Sequence, residues 1–373
     1  MKLTDVVDRI NGNVDRFTTD LEYYIGGEHF ESNELEVRQK GILKENLGKL
    51  GFKFHFAFQD RDVIFMARNP HLRKAGMVRF SGLCSDASYI LRSKDESVIS
   101  QEYLAIMLQS DHFWDYCESH KVGSVNFANN WSSIANYEFE LPSAEEQKKV
   151  SDKVWAAYRL KESYKKLLAA TDEMVKSQFI EMFGDGKWEQ RCLGEVGSFK
   201  RGGGFQKSDY VEHGIPCIHY GQIHTKFGPF IYSHLSEISS DLESKTKFAS
   251  KGDLIIAITS EDVEGSCKST TWLGDYPIAV GGHAAIYNHC MNPLYMSFFF
   301  KSTLFNRAKK EYIHGTKVFE IKPDDIAKIL VPCPPTSLQE QFSAIAEQAE
   351  QSKTELRKTI EAIDGVIKSL INN

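Results

Sequence analysis

Several polar stretches of the sequence carry side chains that could contact a polyanion. The stretch KRGGGFQK at 200–207 places Lys200, Arg201 and Lys207 around three glycines, where a backbone can approach phosphate groups closely. It lacks the Gly-x-x-x-x-Gly-Lys-Ser/Thr spacing of a nucleotide-binding P-loop. We expect phosphate contacts from these cations and, with Gln206 included, one bidentate contact to a guanine or adenine edge. A flexible turn is the alternative.

A second polar stretch, HYGQIHTK at 219–226, follows a predicted strand as a loop rich in donors and acceptors. Other candidates follow Gly315 and Gly123, since glycine permits close approach of the backbone to a ligand. Composition alone adds a basic stretch near residue 70. For any single residue, an ordinary solvated loop position is the alternative. The candidates outside 200–207 are His219, Tyr220, Gln222, His224, Thr225, Lys226, Thr316, Lys317, Ser124, Asn126, Arg68, His71, Arg73, Lys74 and Arg79.

Motifs for catalysis or metal binding are missing from the sequence. RNPHLRKAG at 68–76 lacks the second proline and the aromatic residue of an amino-methyltransferase motif, and no Gly-x-Ser-x-Gly or His-Glu-x-x-His run occurs. The cysteines and histidines of the second half have no ligand-pair spacing, which argues against a metal site. These are Cys217, His219, Cys267, His283, His289 and Cys290. The sequence is typical of a binding scaffold.

The two halves of the chain repeat each other. GSVNFANNWSSIANYEFELP at 123–142 aligns without a gap on the stretch that begins GTKVFEIKPDDIAKIL at 315, and the offset of 315 − 123 = 192 also matches 103–120 to 295–312. A repeat this long indicates a duplicated domain rather than a solenoid.

Each repeated block is followed by a long stretch almost free of glycine and proline, which predicts a long helix. A 3,4 spacing of seam residues favours pairing of the two helices in a coiled coil, while packing of each helix on its own domain is the alternative. The predicted seams are Val150, Val154, Ala157, Lys161, Tyr164, Leu168, Thr171, Val175 and Gln178, and Phe342, Ile345, Ala349, Ser352, Leu356, Thr359, Ile363, Val366 and Leu370.

The remaining segments predict mixed α/β domains. GDLIIAITS at 252–260 and DVIFMA at 62–67 are strand-length apolar runs, 214–223 predicts a strand and a turn, and 100–120 and 292–312 have helical spacing. We predict a first domain over 1–143, a helix over 144–184, a second domain over 185–336 and a helix over 337–373.

Composition sets limits on the class of protein. The chain has 373 residues, 42% of them hydrophobic, and a net charge of −6, which is not the basic footprint of a lone nucleic-acid binder. Seven cysteines without regular spacing fit a reducing compartment. Since we find neither a signal peptide nor a membrane-length apolar run, we expect a cytoplasmic protein.

The repeat resembles the specificity subunit of type I restriction-modification systems. The resemblance covers the whole chain and lies in GTKVFEIKPDDIAKILVPCPPTSLQEQ, IANYEFELPSAEEQKKV and LGEVGSFKRGG, with LTDVV as a degraded copy of the last. The first copy has LPSAEEQ where a second proline is usual. The resemblance implies a mixed α/β (α+β) fold with two similar target recognition domains, separated by two long helices in an antiparallel coiled coil, and a pseudo-two-fold internal repeat.

The resemblance also implies the function and the partners. Each domain would read one half of an asymmetric bipartite site in double-stranded DNA, and the helices would set the spacing and dock two modification subunits. This chain would be non-catalytic and would hold no cofactor. S-adenosylmethionine would bind the modification subunits, and ATP and Mg²⁺ any restriction subunits that translocate DNA. Outer helix positions, namely Lys148, Lys153, Lys165, Glu347 and Arg357, would face the modification subunits.

Two other functions fit the same sequence. A coiled-coil adaptor that assembles proteins without reading DNA would also need paired domains and no catalytic motif. A methyltransferase that acts alone would bind S-adenosylmethionine as the isolated chain.

Overall fold

The computed structural model describes residues 1–315 and 317–372. The chain forms two compact units, of which unit 1 contains residues 1–165 together with the chain from 357 onward, and unit 2 contains residues 166–356. Each long helix is therefore shared, because its two halves belong to different units.

Unit 1 combines two sheets with short helices and part of each long helix. Its strands are β1 (Val7–Ile10), β2 (Tyr23–Ile25), β3 (Glu36–Val37), β4 (Gly41–Ile42), β5 (Phe54–Phe58), β6 (Val63–Met66), β7 (Ala75–Val78), β8 (Gly82–Ser85) and β9 (Ser88–Ser93). Its α-helices are α1 (Leu3–Val6), α2 (Leu43–Asn46), α3 (Gln101–Met107), α4 (Asp111–Ser119), α5 (Trp131–Ala135) and the start of α6 (Ala144–Phe183), with 3-10 turns at Gly27–His29 and Pro70–Leu72.

Unit 2 has corresponding elements and several additions. Its strands are β10 (Gln190–Cys192), β11 (Gly197–Arg201), β12 (Tyr210–Val211), β13 (Ile215–Ile218), β14 (Phe230–Ile231), β15 (Ser236–Ile238), β16 (Lys247–Ala249), β17 (Leu254–Ala257), β18 (Thr259–Ser260), β19 (Ser269–Trp272), β20 (Ile278–Val280), β21 (Ala284–His289), β22 (Phe319–Glu320) and β23 (Leu330–Pro332). Its helices are α7 (Leu193–Val196), α8 (Tyr220–Thr225), α9 (Pro293–Lys301), α10 (Thr303–Ala308), α11 (Pro323–Ile326) and the start of α12 (Thr336–Asn372), with 3-10 turns at Lys207–Asp209, Ser240–Lys245 and Lys309–Tyr312.

The two units repeat the same sheet topology. The larger sheet of unit 1 has the order β1-β9-β6-β7-β3 and the matching sheet of unit 2 has the order β11-β21-β17-β19-β14. In both sheets only the last pair of strands is parallel. The second sheets also correspond, because β2 pairs parallel to β8 as β13 pairs parallel to β20. The duplicated mixed α/β fold predicted from the sequence is confirmed.

The central strands β6 and β17 are buried on both faces. In β6, Val63 and Phe65 contact the core under the helices, whereas Ile64 and Met66 face the core of the second sheet. In β17, Leu254 and Ile256 alternate in the same way with Ile255 and Ala257. Burial on both faces explains why these strands are continuous apolar runs rather than alternating ones.

The glycines that begin the aligned loops have a conformational role. Gly123 and Gly315 have φ angles of 108° and 119°, a region that glycine adopts without strain. A Cβ on Gly123 would lie 2.6 Å from the carbonyl oxygen of Asn126, and a Cβ on Gly315 would also meet a carbonyl oxygen, that of Val318. The glycine at the start of each aligned loop therefore has the same left-handed conformation, and both positions exclude a larger residue.

The long helices pack antiparallel. In unit 2, Asp172 of α6 pairs with Lys353 of α12, and Phe183 further along α6 contacts Phe342 at the start of α12. In unit 1, Lys161 pairs with Asp364 at 2.7 Å between Nζ and Oδ1. The two ion pairs are related by the offset of the sequence repeat, since 353 − 161 and 364 − 172 both equal 192.

In each long helix the predicted and observed seams share residues that are seven positions apart. Between these shared residues, the observed seam residue lies one position later than the predicted one. Ser352, Thr359 and Val366 are exposed, while the residue that follows each of them is at least partly buried. The observed seam of α12 is Phe342, Ala346, Ala349, Lys353, Leu356, Ile360, Ile363, Ile367 and Leu370, and that of α6 is Gln147, Ser151, Val154, Tyr158, Lys161, Lys165, Leu168, Asp172, Val175 and Phe179. From each shared residue, the observed seam advances by four residues and then by three, whereas the predicted seam advances by three and then by four.

Cysteines differ in exposure between the units. In unit 1, Cys84 and Cys117 are buried, and burial raises the pKa of both thiols, that of Cys84 to about 12. In unit 2, Cys217 and Cys267 are buried and Cys290 is exposed.

Within the described residues, no helix is long and apolar enough to cross a membrane.

Candidate nucleic-acid interface

In unit 1 the fold brings two of the predicted groups together. Arg68 forms a β-bridge with Ala128, and the backbone N–H of Asn69 donates to the carbonyl of Phe127 at 2.8 Å. The basic stretch that follows β6 therefore lies against the loop that begins at Gly123. Arg68, His71, Ser124 and Asn126 are all exposed there.

Three cations of this group are engaged by the protein itself. Arg73 forms an ion pair with Asp111, and Lys74 Nζ donates to the Gly27 carbonyl at 2.7 Å. Arg79 Nε donates to Glu36 Oε1 at 3.1 Å. Because these contacts already use the charged groups, Arg68 and His71 are the better candidates for ligand contact.

A cleft of about 400 Å³ opens beside Arg68. We call it the charged cleft, since Glu28, Arg68 and Lys74 line it, together with Gly27, Met66, Asn69, Leu72, Ser85 and Ala87. These residues lie at or after the ends of β2, β6 and β8. No aromatic side chain lines the charged cleft.

In unit 2 the glycines of KRGGGFQK serve chain packing. The N–H of Gly202 donates to the Ala284 carbonyl and that of Gly203 to the Val280 carbonyl. A Cβ on Gly203 would lie 2.8 Å from the carbonyl oxygen of Lys245, and one on Gly202 would also meet backbone. Two of the three glycines are therefore required by the approach of neighbouring chain segments, whereas Gly204 is open.

The polar residues around these glycines remain on the surface. Lys200, Gln206 and Lys207 are exposed. Arg201 is also exposed, but its Nε donates to the Gly282 carbonyl at 2.9 Å and its Nη2 lies 3.6 Å from Glu320 Oε1. Arg201 is thereby held beside the turn between β20 and β21.

The stretch 219–226 is a helix rather than the predicted loop, and α8 divides its residues between two faces. Gln222 is buried, donates through Nε2 to Ser236 Oγ at 3.0 Å, and accepts from the His219 N–H. His224 Nε2 lies 3.0 Å from the Thr259 carbonyl oxygen. These two side chains are used inside unit 2, while Tyr220, Thr225 and Lys226 are exposed.

The exposed face of α8 borders a cleft of about 550 Å³ lined by rings. We call it the aromatic cleft, and its rings are Phe205, Tyr210, His219, Tyr220 and His283. Ring centroids lie 6.0 Å apart for Phe205 and Tyr210, 5.7 Å for Tyr210 and His219, and 5.2 Å for Tyr220 and His283. Burial lowers the pKa of His219, which favours its neutral form.

Sequence reasoning selected two of these five rings, His219 and Tyr220. Phe205 and Tyr210 lie on either side of Lys207 in GGGFQKSDY, and aromatic residues close to a lysine could have marked them. His283 follows β20, more than sixty residues further along the chain, and only folding brings it to the cleft.

The second aligned loop lies next to an acidic segment. β22, which follows this loop, pairs with β18, and β18 leads into Glu261, Asp262 and Glu264. Lys317 is exposed in this loop, and the candidate Thr316 lies outside the described residues. The described residues hold no group of His, Cys, Asp and Glu suited to a metal ion.

Most of the predicted docking residues of the helices face solvent. Lys148, Lys153, Glu347 and Arg357 are exposed, although Lys148 pairs with Asp152 one turn away. Lys165 is drawn inward to Glu34 and Glu162.

Solved structures share this fold. No protein-family model and no curated protein matches the chain. One similar structure, from work on complex assembly and conformational transition of the type I R-M system, covers 100% of this chain and 95% of its own, with a TM-score of 0.59 and 16% identity. The S subunit of a type I restriction-modification system from M. genitalium covers 100% and 94%, with a TM-score of 0.53 and 12% identity. The chain has the fold of type I specificity subunits, as the sequence resemblance predicted.

Proposed function

We propose that this chain is the DNA sequence-recognition subunit of a type I restriction-modification complex. Each unit would read one half of an asymmetric bipartite site. The chain itself would be non-catalytic, and S-adenosylmethionine would bind the modification subunits, with ATP and Mg²⁺ bound by restriction subunits where the system has them.

One observation carries this proposal. The two units have the same strand order but different side chains at equivalent edges of their sheets, with cations after β6 in unit 1 and carboxylates after β17 in unit 2. A repeated frame with different surfaces is expected of a protein that reads two different sequences, because specificity comes from the groups that contact base edges.

The ion pairs of the helices support a role for α6 and α12 in spacing. A buried lysine in a helix–helix seam costs stability unless it is paired, and it disfavours registers in which it loses its partner. Lys161 and Lys353 are 4% and 5% exposed, and both are paired with a carboxylate of the other helix. The register of the helices would in turn set the separation of the two readers.

The negative net charge is compatible with DNA binding in a complex. Phosphate contacts supply much of the affinity of a DNA-binding protein, and partner subunits can provide many of them. Within this chain, the exposed Arg68, Lys200 and Lys207 would add local contacts.

Co-expression with the cognate modification subunit tests the proposal. Mapping of methylated adenines should reveal a two-part motif, and exchange of residues 1–143 with those of a related chain should change one half of it. A motif that changes in both halves, or in neither, would contradict the proposal.

A protein-binding adaptor is the second candidate, and the net charge of −6 favours it. Binding of duplex DNA by the reconstituted complex at several salt concentrations separates the two functions. A DNA reader gives a steep linear fall of log K with log salt, whereas an adaptor gives none.

A further inference from the structure

We propose that the aromatic cleft of unit 2 binds one unstacked nucleobase of the bound DNA. This inference rests on the proposed function and deepens it, because it names what one unit does to the duplex.

The walls of the cleft fit a planar heteroaromatic ring. Phe205, Tyr210, His219, Tyr220 and His283 surround it in a series of edge-to-face and tilted contacts. Its volume of about 550 Å³ is in the range of small-molecule sites. Stacking of a base on an aromatic side chain contributes about 1–3 kcal/mol and works with any base. Several rings together can therefore offset the cost of unstacking.

The charges around the cleft favour a ring that carries phosphate groups. None of the residues that line the cleft is acidic, and Lys207 stands at its edge. Arg201 is held beside it through the Gly282 carbonyl. Two carboxylates outside the lining are held by neighbouring groups, Asp209 by the N–H of Gln206 at 2.6 Å and Glu320 by Arg201. A cationic ligand would meet Lys207 and no acidic residue in the lining, so an aromatic cage for cations does not fit.

Two glycines in the lining leave room for such a ring. These are Gly281 and Gly282, and a Cβ on Gly281 would lie 3.2 Å from the ring of Phe205. Burial raises the pKa of Tyr210 to about 12, so its hydroxyl stays protonated and able to donate to a base edge.

The same place in unit 1 does not offer these features. The charged cleft also follows the ends of the two parallel strands of the second sheet, but no aromatic ring lines it. The inference therefore applies only to the half-site read by unit 2.

Mismatched duplexes test the inference. Once methylation mapping has given the motif, each base pair of the second half-site is replaced in turn by a mismatch that keeps one original base. A base that must leave the stack costs less to unstack when it is unpaired. The complex of this chain with its modification subunits should therefore bind one of the mismatched duplexes more tightly than the matched duplex, by about five-fold for a saving near 1 kcal/mol. The position of that mismatch should differ from the methylated adenine.

Variants assign the effect to the cleft. Tyr220→Ala should abolish the tightening, Tyr220→Phe should keep it, and Tyr232→Ala should leave it unchanged, because Tyr232 is 59% exposed and does not line the cleft. Tyr220 is itself 41% exposed, so its loss removes little from the core. In complexes that bind the matched site normally, mismatches that weaken binding at every position would overturn the inference. Tightening that persists in Tyr220→Ala would overturn it as well.

A different result identifies failure of the proposed function. If the wild-type complex neither binds duplex DNA in a salt-dependent way nor directs methylation, the proposed function is wrong, and this inference falls with it. Normal methylation of the motif by Tyr220→Ala, without any mismatch effect in the wild type, removes only the inference.

Discussion

The charged cleft of unit 1 and the aromatic cleft of unit 2 occupy equivalent places in the fold. Both follow the parallel strand pair of the second sheet, β2 with β8 in one unit and β13 with β20 in the other. One is lined by Glu28, Arg68 and Lys74, and the other by five rings. The comparison teaches that duplication preserved the buried frame and left the strand ends free to diverge.

The segments after the central strands diverge in charge as well. In unit 1 this segment is basic, and in unit 2 it is acidic and is held by the buried Lys309, whose Nζ donates to the Glu264 and Ser266 carbonyls. Unit 1 thus presents cations next to its glycine loop, whereas unit 2 presents them at the end of β11. Four predictions test how far the two units share the same buried fold and how far their surfaces differ.

The largest effect is expected in the two equivalent central strands. Phe65 and Ile256 are fully buried at matching positions. Phe65→Ala and Ile256→Ala should each lower the free energy of unfolding by about 3–4 kcal/mol, because each leaves a cavity. Hydrogen exchange should show lost protection mainly in unit 1 for the first variant and in unit 2 for the second. Equal losses in both units would mean that the two frames do not have separate cores.

The paired lysines of the helices should behave alike. Lys161→Ala and Lys353→Ala should each cost about 3 kcal/mol in denaturant unfolding, because the largely buried Glu34 and Glu350 each lose an ion-pair partner. The other partners, Asp364 and Asp172, are about half exposed and stay hydrated. The exposed Lys153→Ala is the control and should change stability little. A large effect of one lysine and none of the other would show that the repeat of the ion pair is incidental.

A pH effect should be specific to unit 2. Burial lowers the pKa of His289 from 6.5 to about 4, and among the described residues its Nε2 has no hydrogen-bond partner. The imidazole is neutral in the folded state, so the unfolded chain takes up the proton first as the pH falls. The contribution of the neutral His289 to the free energy of unfolding is fully present above about pH 6.5. It should be lost between pH 6.5 and 4, at about 1 kcal/mol per pH unit.

The variant His289→Phe isolates this contribution. It keeps a ring next to Tyr287, whose centroid lies 5.1 Å from that of His289, and it removes the titration. Unfolding measured at several pH values should show a shallower slope for the variant in this window. Identical slopes would exclude His289 as the source.

The smallest effects are expected from single surface cations. Arg68→Ala in unit 1 and Lys200→Ala in unit 2 should each reduce the slope of log K against log salt by about one phosphate contact. Arg73→Ala should change the slope less, because Asp111 already pairs with Arg73. DNA binding of the reconstituted complex measures all three, and an unchanged slope for both exposed cations would place the interface elsewhere.

The frame was predictable because it follows from local patterns. The constant offset, the apolar runs of β6 and β17 and the long helices follow directly from residue types and periodicity. The seam was one residue off at alternate positions because 3,4 and 4,3 spacing share Phe342, Ala349 and Leu356. The sequence places the charged Lys161 in the predicted seam but does not show that Glu34 and Asp364 pair with it.

The surface was less predictable for a different reason. α8 contains Gly221, Ile223 and Thr225, which are weak helix formers, and the helix exists because Gln222 and Ile223 are buried. The aromatic cleft joins residues 205–210 and 219–221 to Ser236 and to residues 281–283, so no short window of the sequence contains it. Arg73 and Lys74 looked available because their partners, Asp111 and the Gly27 carbonyl, are distant along the chain.

The uneven exposure of the cysteines has a practical consequence. The thiols of Cys84 and Cys117 are buried, whereas Cys290 is exposed. A maleimide dye added to the native chain should therefore react first with the second unit and leave the first unlabelled. Fluorescence could then follow that unit alone, without any engineered residue.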